Sequence, residues 1–74
     1  MLLMTKNEIK ESIASNLFKI RKELRYTQRE VADMAGLNTN YYAKLERGES
    51  MVSLVTLEKL VKALSVSTAD ILPF

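Results

Sequence analysis

The sequence predicts an all-α fold, a compact bundle of five helices. Apolar residues recur at spacings of three and four through most of the 74 residues, the period of a single helix face. Five segments each open on a residue type that caps helices, namely Thr5, Thr27, Asn38, Ser53 and Ser67. Gly36, Gly48 and Pro73 fall where these segments end. A chain this short buries only about 60% of its unfolded surface, so association with a second copy would help its stability.

Taken in order, Thr5–Lys6–Asn7–Glu8 has the spacing of a capping box and opens the first helix. Ile9, Ile13, Leu17, Ile20 and Leu24 form its apolar stripe. Thr27 and Glu30 make a second capping box, after which Val31, Ala32 and Ala35 face inward. Gly36 supplies the positive-φ residue that ends this helix. Asn38 caps the third helix, and Leu37 and Tyr42 are spaced to staple its entry angle. On a helical wheel Tyr42 and Leu45 point to the core, and Tyr41 lies at the flank. Asn40, Ala43, Lys44 and Arg47 point outward, with Thr39 at the exposed tip. Gly48 to Val52 form a loop, and Ser53 caps a fourth helix with the stripe Leu54, Leu57, Leu60, Val61 and Leu64. Ser67 with Asp70 starts a last short helix that Pro73 closes. Beside it, Ile71, Leu72 and Phe74 either fill the groove between the first and fourth helices or meet a second copy.

The outer face of the third helix combines amide, hydroxyl and cationic groups around one small residue, without an acid. Such a face suits the major groove of DNA. Asn pairs with adenine, Ala approaches a thymine methyl, and Lys reaches guanine or phosphate. The second and third helices therefore read as a helix-turn-helix. Thr39, Asn40 and Lys44 are the expected base readers. Gln28 lies in the first turn of the second helix, where free N–H groups and the helix dipole favour a phosphate. Arg29, the Tyr41 hydroxyl and Arg47 are expected to add phosphate contacts. The adjacent tyrosines could suggest stacking on single-stranded bases, but the wheel separates them, so they form no common platform.

The residues from about Asn16 to Leu72 resemble the Cro/cI-like (XRE) helix-turn-helix family of DNA-binding regulators. The likeness rests on Arg21 before the second helix, Thr27–Gln28 at its start, Ala35–Gly36 at the turn and the Leu45–Glu46–Arg47–Gly48 ending. It implies a lambda-repressor-like bundle, single-domain over residues 1–74, and a double-stranded DNA operator as partner. It also implies that Arg21 pairs with Glu46, that Gln28 contacts the DNA backbone, and that the loop after the third helix runs near DNA. Val52 stands where the family commonly has proline, and Arg25 where it often has glycine, which bears on loop shape rather than on the reading face. The small size and the proline-free Ser53–Leu57 run resemble the controller proteins of restriction–modification systems. An antitoxin or a phage-type repressor would look much the same, so RNA polymerase or a partner toxin remain open as further partners.

The charge agrees with this reading. Lys19 to Arg47 hold seven bases and four acids, whereas the remainder of the chain holds four bases and five acids. The cationic excess thus sits on the DNA-facing elements. Without the motif, the same distribution would describe an ordinary solvated helical surface. An enzyme is disfavoured: His and Cys are absent, and with them the commonest general base, thiol nucleophile and zinc ligands. No cofactor or metal is expected. A protein-interaction module of antitoxin type is the main rival, but its contact face should be apolar at its centre. Met1–Leu2–Leu3–Met4 is too short for a signal or membrane segment, and a cysteine-free chain fits the cytoplasm. The expected function is that of a sequence-specific transcriptional regulator, a homodimer whose third helices enter major grooves about 34 Å apart. Seventy-four residues leave no room for a separate ligand-sensing domain.

Overall fold

Side chains that accept a backbone N–H three residues on set where most of the helices begin. Thr5 Oγ1 accepts from Glu8 N at 3.1 Å, and Glu8 Oε1 accepts from Thr5 N at 2.8 Å. Thr27 and Glu30 repeat this reciprocal pair at 3.0 and 2.9 Å. Asn38 Oδ1 takes Tyr41 N, and Ser53 Oγ takes Thr56 N, both at 3.1 Å. The computed structural model describes residues 3–74, and among these the helices are α1 (Lys6–Leu24), α2 (Gln28–Ala35), α3 (Thr39–Glu46), α4 (Leu54–Leu64) and α5 (Thr68–Ile71). Met1 and Leu2 of the apolar opening lie outside the described residues. Leu3 and Met4 are exposed.

Three helices end on a left-handed residue, the conformation that closes a final turn. Gly36 takes it at φ 67°, but Arg25 and Ser65 take it at 62° and 55°, which costs a side-chain-bearing residue roughly 1–2 kcal/mol. The position where glycine is frequent in the resembling family is thus a true αL site, filled here by arginine. After Ile71 the chain turns extended at Leu72, as expected for the residue before Pro73.

α1 packs against α3 and α5, and α2 against α3 and α4. Each helix contributes to one core of Ile13, Leu17, Val31, Ala32, Ala35, Tyr42, Leu45, Leu57, Leu60, Leu64 and Ile71. Three placements differ from the helical-wheel expectations. Leu24 is 44% exposed and Leu54 84% exposed, because both lie in terminal turns that project past their packing partners. Of the two roles open to Ile71, the structure shows packing within the domain: its side chain is fully buried, and Asn16 Nδ2 donates to its carbonyl at 2.9 Å, tying it to α1. Ala43, expected on the outer face, is only 9% exposed. α3 packs against both α1 and α2, so its covered arc is wider than one stripe and takes in Ala43.

Candidate nucleic-acid interface

The base of α3 is fixed by a buried ionic brace. Arg21 Nε donates to Glu46 Oε2 at 2.7 Å, and Nη2 donates to Oε1 at 3.0 Å. The third arm, Nη1, donates to the Tyr26 carbonyl at 2.9 Å. Gln28 Nε2 donates to Glu46 Oε1 at 3.3 Å. The Glu46 carboxylate thereby holds the end of α3 to α1 and to the start of α2, while Arg21 also ties down the turn after α1. Burial pushes the Glu46 carboxyl up, but the hydrogen bonds from Arg21 and Gln28 outweigh this and hold it below the ordinary value of 4.5. The hydrogen bonds to Glu46 in turn raise the Arg21 guanidinium against the effect of its burial. Tyr42 fills the core beneath, and burial pushes its phenol far up.

On this brace α3 presents Asn40 and Lys44 as exposed side chains, with Thr39 half-exposed at its start. The only acid of the helix is Glu46, and it is locked inside. The expected base readers therefore share one outward surface. The expected phosphate contacts divide. Arg29 is exposed and forms no ion pair among the described residues. Arg47 is exposed but forks onto Glu49, with Nε to Oε2 at 2.7 Å and Nη2 to Oε1 at 3.3 Å. Tyr41 is half-buried, and its hydroxyl donates to Thr56 Oγ1 at 3.3 Å, so it is partly committed to the α3–α4 contact. Gln28 is likewise half-buried on Glu46. For these three residues, reaching a phosphate means sharing or exchanging a partner.

An open groove of about 740 Å³ runs between the end of α1 and the start of α2. Its lining includes Arg21, Lys22, Arg25, Gln28, Arg29 and Thr39, and no acid. Lys22 and Arg25 were not among the sequence-derived contacts. Their signal was present as the local basic excess, but they belong to α1 and its cap while Arg29 belongs to α2, and a wheel drawn on one helix cannot bring them together.

A pair of short helices meeting at an αL glycine, with the second exposing amide and cationic groups from a buried brace, defines a DNA-binding transcription regulator. The chain belongs to the helix-turn-helix family HTH_3, which matches residues 17–71, and is of its Cro/cI-like type. An HTH-type transcriptional regulator of Sinorhizobium fredii is 33% identical over 64 residues, covering 86% of this chain and 83% of that protein. The control protein C.SmaI of Serratia marcescens is 37% identical over 65 residues, covering 88% and 77%. Among solved structures, the restriction–modification controller protein C.AhdI of Aeromonas hydrophila superposes with a TM-score of 0.81 at 29% identity, over 84% of this chain and 94% of that one. No described helix is long and apolar enough to cross a membrane.

Proposed function

We propose that this regulator works in the cytoplasm by binding alone, as a homodimer on a near-palindromic operator, with α3 of each copy in a major groove. Residues 1–74 act in this reading as one DNA-binding domain. Thr39, Asn40 and Lys44 read bases, while Gln28, Arg29, Tyr41 and Arg47 set register on phosphates. The observation that carries the proposal is the outer side of α3, where Asn40 and Lys44 stand free while the helix's one acid is sequestered by Arg21. A face meant for another protein would place its large apolar residues there, and α3 instead turns Tyr42 and Leu45 inward.

Exposed apolar side chains offer two surfaces for self-association: Leu54 with Val55 at the start of α4, and Phe74 at the end of the chain. The burial of Ile71 removes it from that role. Similarity to the control proteins of Serratia marcescens and Aeromonas hydrophila supports a regulator of restriction–modification genes.

Selection of sites from random double-stranded DNA tests the reading directly. A two-fold symmetric enriched motif is expected, and Asn40→Ala should cost ~1–3 kcal/mol and relax preference at one position. Absence of any enriched motif would reject sequence-specific binding.

A further inference from the structure

We propose that Glu49 sets the margin between specific and non-specific binding: it withholds Arg47 from the phosphates of random DNA and releases it only where base contacts hold α3 in register. This rests on the DNA-binding reading and adds to it a residue that touches neither base nor phosphate. Arg47 closes α3 as its C-terminal cap, at φ −89°. Gly48 follows in the left-handed region at φ 73°. The Gly48 N–H then donates to the Leu45 carbonyl at 3.2 Å, and the Glu49 N–H donates to the Lys44 carbonyl at 2.9 Å. Together these bonds form a Schellman motif, which fixes the backbone of Glu49 against the last turn of α3. From there its carboxylate folds back onto Arg47 and accepts from both Nε and Nη2.

This placement does little for the helix. An acid just past a helix C-terminus sits at the negative end of the dipole. Both side chains of the pair are half-exposed, and such pairs add little stability. The effect falls on the reading face instead. The Arg47 hydrogen bond first, and the Arg47 and Lys44 charges besides, hold the Glu49 carboxyl below the ordinary value of 4.5. A negative charge therefore stands beside a base reader and a phosphate contact, although the acid of α3 itself is turned inside. Non-specific binding is almost wholly electrostatic, so a withheld cation weakens it directly. On the operator, Thr39, Asn40 and Lys44 fix α3 against the bases, and a phosphate is then held within reach of Arg47. An exposed fork opens at little cost once such a phosphate replaces the carboxylate.

The test is DNA affinity as a function of salt for Glu49→Gln, on the selected site and on a random duplex. On random DNA the freed Arg47 gains a phosphate. The slope of log affinity against log salt should steepen there by about 0.9, and affinity should rise about two- to fivefold. On the selected site both should change less, so the ratio of the two affinities falls. In an Arg47→Ala background, Glu49→Gln should lose most of its gain. Glu23→Gln adds the same charge on the side of α1 near Val66 and Asp70, and should leave the ratio unaltered. A wild-type ratio in Glu49→Gln, an equal fall in Glu23→Gln, or a gain undiminished without Arg47 would overturn the proposal. The two readings fail differently. A wild-type protein that enriches no motif rejects sequence-specific binding, whereas one that enriches a motif and keeps its ratio in Glu49→Gln rejects the role of Glu49 alone.

Discussion

Two arginine–glutamate pairs flank the C-terminal end of α3, and their geometry is nearly the same. Each has an Nε–Oε2 contact of 2.7 Å and a second contact from Nη2. Their surroundings are opposite. The side chains of Arg21 and Glu46 are 11% and 3% exposed, whereas those of Arg47 and Glu49 are 54% and 52% exposed. Inside, neither charge can turn to water, so losing one partner strands the other. At the rim, water and salt replace either partner at little cost. The inner pair therefore governs whether α3 is held in place, and the outer pair governs how much charge α3 shows to DNA.

The largest expected effect breaks the inner pair. Arg21→Ala should cost about 3 kcal/mol in denaturant unfolding, because Glu46 is left buried without its main donor. A loss too small to measure would mean that water already reaches Glu46. Acid titration separates the pairs next. The Glu46 pKa is depressed on folding, so its contribution is present above the unfolded value near 4.5 and is lost as pH falls through the lower folded value. Glu46→Gln should flatten that acid limb of stability. Glu49 is depressed as well, by the hydrogen bond from Arg47, but it is exposed and screened, so Glu49→Gln should leave the limb in place. A third arginine sharpens the contrast, since Arg25 has no ion-pair partner and is constrained only by its backbone. Arg25→Gly should stabilise the fold by about 1 kcal/mol, read as a higher unfolding midpoint. The smallest effect on stability belongs to the outer pair. Arg47→Ala should leave the midpoint unchanged and show itself only as weaker, less salt-sensitive DNA binding.

Much of the fold was legible in the sequence because caps are local. Thr5 with Glu8, Thr27 with Glu30, and Asn38 and Ser53 each act within three residues, so spacing alone identifies them. The Arg21–Glu46 brace spans 25 positions and was visible only through resemblance to a family. The errors came from the finite length of packing partners. A wheel extends the stripe to Leu24 and Leu54, but it does not know where the neighbouring helix stops. Ala43 was misplaced because a wheel drawn on α3 alone does not show that both α1 and α2 pack against it. At the interface, Asn40 and Lys44 followed from periodicity. The commitments of Gln28 to Glu46, of Tyr41 to Thr56 and of Arg47 to Glu49 are tertiary or loop contacts. The convergence of Lys22, Arg25 and Arg29 required the turn between two helices.

The tether from Asn16 to the Ile71 carbonyl bears on how the chain opens. α5 is a single turn of four residues, too short to persist alone, and it is kept by one core side chain and by one hydrogen bond reaching across 55 positions. Its opening while α1 to α4 stay folded is the expected first step of local unfolding. Amide exchange at Leu72, whose N–H bonds Thr68 at 2.8 Å, should therefore outpace exchange in the α1 core, and Asn16→Ala should accelerate it further without shifting global unfolding in proportion.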